Sequence, residues 1–172
     1  MELGVGTGLN LPYYNTDNQI TSYTAIDISP NMMSYAKSRF TSKQSISSSL
    51  QLLYQNDKVA FQQGDIGRLT DIFPSNKFDT IIDTFGLCVF PNPLLVLSRA
   101  KDLLSGGGQL LLLEHQDSVL GKALNPTRSM SDVSKSCRYD DDVLGLVRDA
   151  GFNVVDGKSV AGGFLIEVLA NK

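Results

Sequence analysis

The feature that most constrains this chain is the stretch Glu2-Leu3-Gly4-Val5-Gly6-Thr7-Gly8, followed by Leu9-Asn10-Leu11. Glycine at every second position removes the side chain where a strand passes into a helix, so the backbone can adopt positive φ and approach a bound ligand closely. The stretch reads as a ligand-binding loop. A dinucleotide fingerprint, G-x-G-x-x-G, would put its third small residue where this chain has Leu9. The spacing is instead E-x-G-x-G-x-G, which opposes a nicotinamide oxidoreductase.

Downstream, the chain alternates strand and helix signals. Residues 7–14 can form a short helix, ended by the turn-forming side chains of residues 15–18. Residues 20–28 are rich in β-branched and aromatic side chains and read as a strand. It finishes at Asp27, about 20 residues beyond Gly8, the distance at which a carboxylate at the tip of a second strand holds a ribose diol. Ser29-Pro30 supplies an N-cap and a proline at the first helical position, and the helix continues to Phe40. Residues 41–56 read as a loop with a partial helix. Residues 58–63 form a third strand closed by Gly64-Asp65-Ile66, and residues 78–85 a fourth. Asn92-Pro93 opens a helix through Leu104, with Leu94, Leu95, Leu97 and Leu103 expected in the core and Gly106-Gly107-Gly108 expected to stop it. Residues 109–115 are then a fifth strand, tipped by Glu114 and the single histidine, His115. Residues 118–135 read as a loop or cover. Acids precede a helix from Val143 that Gly151 closes, and two closing strands follow, at residues 152–155 and 164–169.

With 172 residues, 42% hydrophobic and 19% charged, the chain can bury a substantial core as one domain spanning 1–172. Its net charge of -3 offers no source for the phosphate attraction behind nucleic-acid binding. Cys88 and Cys137 lack C-x-x-C spacing or a histidine cluster and read as reduced thiols, not a disulfide framework or a zinc site. No apolar run is long enough to span a bilayer and no signal peptide opens the chain, so it reads as soluble and not secreted. The chain starts within the glycine motif, so the domain is expected to be N-terminally incomplete, with a truncated first strand. A targeting or membrane-anchoring segment could then lie upstream.

The ordered motifs resemble those of the class I S-adenosylmethionine-dependent methyltransferases over nearly the whole chain. Phe85-Gly86-Leu87-Cys88-Val89, Leu113-Glu114-His115 and Cys137-Arg138-Tyr139 narrow the likeness to a small-molecule group. That group contains ubiquinone/menaquinone-type C-methyltransferases, thiol methyltransferase-like proteins and a fungal mitochondrial membrane-anchored relative. The resemblance implies an α/β, Rossmann-like doubly wound sheet of seven mostly parallel strands with an antiparallel C-terminal strand. It implies S-adenosyl-L-methionine as cofactor, bound by Glu2, Gly4, Gly6, Gly8, Asp27, Ile28, Asp65, Ile66 and Asp83, and no metal.

The implied partner is a small-molecule methyl acceptor, quinone-like or thiol, and the implied location cytoplasmic or mitochondrial. Methyl transfer from a sulfonium needs mainly an aligned nucleophile. A base is required only where the acceptor must lose a proton, and His115 is the candidate. A methyltransferase fold serving as a non-catalytic assembly subunit is the alternative from another class.

Overall fold

In the computed structural model the described residues are 1–14, 20–42, 46–75, 77–116 and 142–172. The turn expected at 15–18, the cover expected at 118–135 and the Cys137-Arg138-Tyr139 segment lie outside them. The chain divides into two compact units, residues 1–66 and 67–172. Among the described residues the first unit carries three strands and the second four.

The first unit contains β1 (Glu2–Leu3), β2 (Tyr23–Asp27), α1 (Pro30–Thr41), α2 (Ser48–Gln55) and β3 (Val59–Gln63). Its strands are parallel in the order β3-β2-β1. The short first strand pairs through Glu2 with Ala25 and through Leu3 with Ile26. Helix α1 begins as its sequence dictates, with the Ser29 hydroxyl accepting the Met32 N–H at 3.3 Å and Pro30 at the first position. Met33, Ala36 and Phe40 form its buried stripe at helical spacing. They pack with Val5, Leu11, Tyr23, Ala25 and Leu50 in one core. Met32, by contrast, remains exposed.

Two expectations change here. Residues 41–56 contain a complete helix, α2, capped by Ser47 and anchored by the wholly buried Leu50. The helix expected over 7–14 contracts to a 3-10 turn at Leu11–Tyr13, because Gly8 takes φ +76 and Pro12 has no N–H to donate.

The second unit contains α3 (Leu69–Ile72), β4 (Phe78–Thr84), α4 (Pro93–Leu103), β5 (Leu104–His115), α5 (Val143–Asp149), β6 (Asn153–Val160) and β7 (Leu165–Asn171). Its strands are ordered β4-β5-β7-β6. β4 and β5 are parallel, while β7 runs antiparallel to both β5 and β6. Helix α4 is capped by Asn92, whose side chain accepts the Leu95 N–H at 3.0 Å, and buries Val96, Leu97, Ala100 and Leu103.

Leu94 and Leu95, expected in the core, lie in the first turn outside that stripe and stay partly exposed. The three glycines do not stop α4; they lie inside β5. There Gly107 takes φ +77 and the β4–β5 pairing shifts register between Phe78 and Thr80, so the glycines serve a bulge. Among the described residues no helix is long and apolar enough to cross a membrane.

Candidate functional site

The glycine loop leaves β1 with Gly4, Gly6 and Gly8 all at positive φ, a region costly for residues with a side chain. The surroundings separate the roles of two of them. A Cβ at Gly8 would fall 2.7 Å from Leu11 Cδ1 and 3.2 Å from Ala36 Cα, so Gly8 lets the loop pack on α1. A Cβ at Gly6 would meet nothing nearer than Gly4 O at 3.9 Å. Gly6 therefore leaves an open cradle.

Asp27 closes this arrangement. Its Oδ2 accepts the Gly6 N–H at 2.9 Å and its Oδ1 accepts the Ser29 N–H at 2.8 Å. The Gly64 N–H donates to the Asp27 carbonyl at 3.0 Å, which sets the end of β3, and with it Asp65, beside the tip of β2. Ile28 stands 64% exposed next to the carboxylate. Asp65 is exposed and Ile66 is buried. Two motifs separated in sequence thus meet through the Gly64–Asp27 hydrogen bond.

Glu2 lies deeper. It is wholly buried; Oε1 accepts the Asn10 side-chain amide at 3.0 Å and Oε2 accepts the Tyr23 hydroxyl. Burial pushes its carboxyl above the ordinary range, while the bonds from Tyr23 and Asn10 pull the other way. Burial and the Glu2 charge in turn hold the Tyr23 and Tyr14 phenols in their protonated form. The carboxylate therefore ties β1 and β2 to Asn10, two residues past the loop. The sequence reading missed Tyr23 and Asn10; the only signal was that a tyrosine buried in a strand needs a partner for its hydroxyl.

In the second unit, Asp83 near the end of β4 and Glu114 near the end of β5 are wholly buried. Glu114 Oε1 accepts the N–H groups of Gly86 and Leu87 at 3.1 and 3.4 Å. Phe85, just before that turn, takes φ +60, an outlier for a bulky side chain. Its ring lies 4.8 Å from that of His115. His115 is half-buried, and its pKa is lowered by burial.

The Cys88 sulfur lies 3.8 Å from His115 Nδ1. Cys88 is held in a disulfide, which corrects the expectation of a reduced thiol; sequence spacing does not report which segments a fold brings together. Its sulfur has no proton to give, so any hydrogen bond across this contact has the ring N–H as donor. Among the described residues no group of three or more His, Cys, Asp or Glu could hold a metal ion.

Residues 1–112 match the family model described as a methyltransferase domain. The chain is 28% identical over 173 residues to the mitochondrial methyltransferase OMS1 of Saccharomyces cerevisiae, covering 92% of this chain and 35% of that protein. It is 30% identical over 121 residues to the thiol S-methyltransferase TMT1B of Rattus norvegicus, covering 70% of this chain and 44% of the relative. The chain thus spans less than half the length of either. Among solved structures, magnesium protoporphyrin IX methyltransferase from Synechocystis PCC 6803, with bound SAH, superposes with a TM-score of 0.68 at 17% identity, covering 99% of this chain and 72% of that one.

Proposed function

The chain belongs to the methyltransferase domain family, and on that premise we propose that it transfers a methyl group from S-adenosylmethionine to a small-molecule acceptor, thiol or quinone-like. The carrying observation is the Asp27–Gly6 hydrogen bond, which joins a carboxylate suited to a diol to a loop with an open glycine.

The residues fit the donor. A carboxylate oxygen has two lone pairs, and Asp27 commits one on each oxygen to a backbone N–H, so a second pair on each can accept a ribose hydroxyl. Ile28 offers an exposed apolar side chain to a purine face, and Asp65 a carboxylate for an exocyclic amine, with Ile66 packed beneath. Gly4, Gly6 and Gly8 let the backbone approach the ligand. Glu2 and Asp83, both buried, act from beneath by holding the loop and the Phe85–Phe90 turn in place. S-adenosylmethionine supplies the electrophilic methyl on a good leaving group, so the protein's task is alignment, and His115 takes a proton where the acceptor has one to lose.

A thiol acceptor is favoured by the likeness to a thiol S-methyltransferase. A mitochondrial location is favoured by OMS1; that and an anchor in flanking sequence are part of the same proposal. Calorimetric titration with S-adenosylmethionine and S-adenosylhomocysteine, followed by transfer assays on thiol and quinol panels, tests the reading. Binding that Asp27→Ala weakens, with turnover of one panel, is the expected result. Absence of binding to either adenosyl compound overturns it.

A further inference from the structure

Asp83 and Glu114 stand on adjacent parallel strands, where Asp83 pairs with Leu112. Glu114, two residues beyond Leu112, projects from the same face of the sheet. Gly86 touches both carboxyls. Its N–H donates to Glu114 Oε1 at 3.1 Å, and a Cβ built on it would fall 2.1 Å from Asp83 Oδ1. Both acids have no exposed surface, so water cannot screen one from the other.

Two buried carboxylates this close cannot both ionise cheaply, since like charges in low dielectric repel and each loses its hydration. A single proton resolves the conflict. The O–H of one acid donates to the other, leaving one negative charge spread over a hydrogen-bonded pair, as in other carboxyl dyads. We propose that Asp83 and Glu114 share one proton and act together as a positioning pair, clasping the Gly86–Leu87 backbone so that Phe85 is held against His115. The value of this for catalysis rests on the methyl-transfer reading; the shared proton does not.

Three features support the pair. Glu114 is the acceptor for two consecutive N–H groups of the turn, so removing its side chain leaves both without that acceptor and the turn tied to β5 through the Phe85 N–H and the Leu113 carbonyl. Phe85 sits in a strained backbone conformation, which persists only where its surroundings hold it. Burial raises the Glu114 carboxyl well above the ordinary range, and hydrogen bonding to Asp83 and to the turn's N–H groups pulls the other way.

The direct test is infrared spectroscopy of the whole chain at mildly acidic pH, where exposed carboxyls are ionised, with aspartate and glutamate isotopically labelled in turn. A carbonyl band of a protonated carboxylic acid that is present in the parent and absent in Glu114→Gln is expected, apart from any band of the raised Glu2 carboxyl that both chains share. Parent and variant spectra without that difference would overturn the shared proton, as would a Glu114→Gln variant that melts far above the parent, the sign of relieved repulsion between two charges.

Positioning is tested separately. Glutamine keeps an acceptor for Gly86 and Leu87 and gives Asp83 a donor, so Glu114→Gln should keep near-parental melting and kcat. Glu114→Ala should lower kcat by about tenfold or more with little change in KM for S-adenosylmethionine. Asp83→Asn, which restores a donor from the other side, should behave like Glu114→Gln and keeps the test open if the alanine variant does not fold. Unchanged kcat in a folded Glu114→Ala variant, or loss of kcat in both amide variants, would overturn the positioning role. A parent chain without methyl transfer but with the protonated band would reject the functional reading alone.

Discussion

Asp27 Oδ2 accepts the backbone N–H of Gly6 at 2.9 Å, so the acid at the tip of β2 and the central glycine of the loop form one device. An acid that both shapes the loop and meets the ligand should reveal two losses on removal. Asp27→Ala is expected to weaken S-adenosylhomocysteine binding by about 1.5–3 kcal/mol, the scale of a hydrogen bond to a charged group. It should also destabilise the unliganded chain by about 1–3 kcal/mol, because the Gly6 and Ser29 N–H groups lose their acceptor. Titration calorimetry and urea melts read the two effects separately. A stability loss with unchanged affinity would leave Asp27 a structural acid only.

The glycines should divide in the same way. Gly8→Ala drives a methyl against Leu11 and the Ala36 backbone at a φ that side chains avoid, so it should cost about 1–3 kcal/mol of stability as overpacking does. Gly6→Val has open space on the protein side; it bears the left-handed φ penalty of about 1–2 kcal/mol, yet should remain folded and lose ligand binding outright. Denaturant midpoints beside titrations decide it. Normal binding by folded Gly6→Val would mean that the cradle does not face the ligand.

Tyr23→Phe removes one of the side-chain donors to Glu2, leaving a buried carboxylate short of a partner at a cost of about 1–3 kcal/mol. The sign with pH follows from the raised Glu2 carboxyl. A group whose folded pKa is raised contributes stability that is complete below its unfolded value, here 4.5, and that is lost as pH rises through the folded value. Because the tyrosine favours the charged form, the deficit of Tyr23→Phe should be small in acid and widen with rising pH. A deficit constant across pH would show that the hydroxyl contributes packing and not charge stabilisation.

What could be read from sequence was local. Gly4-Val5-Gly6-Thr7-Gly8, the caps Ser29-Pro30 and Asn92-Pro93, and the distance from the loop to Asp27 each encode a backbone requirement within a few residues or one βαβ step. The parallel strands followed from the alternation of such signals, and the antiparallel close from the family resemblance. The missed features depend on register. Tyr23 reaches Glu2 because Leu3 pairs with Ile26 and Glu2 with Ala25, and Glu114 reaches Gly86 because Thr84 pairs with Leu113. No spacing along the chain announces either. The triple glycine misled for a related reason: a glycine run marks both helix ends and strand bulges, and only the pairing partner distinguishes them.

His115 is the remaining group whose role has a clear kinetic signature. Its ring lies against Phe85 and beside the Cys88 sulfur, and burial lowers its pKa from 6.5, so the ring is neutral at neutral pH and able to accept a proton. If it serves as base, kcat/KM should rise with pH through an acid limb that lies below 6.5, since that ratio reports groups of the free enzyme. His115→Gln should remove this limb. It should also lower kcat by about 100-fold or more for an acceptor that must be deprotonated, while an acceptor already delivered as its anion should be methylated at nearly the parental rate. Measuring both acceptors across pH separates the two contributions: equal losses for the anionic and protonated acceptors would make His115 a packing residue, and an unchanged acid limb in the variant would assign that proton to another group.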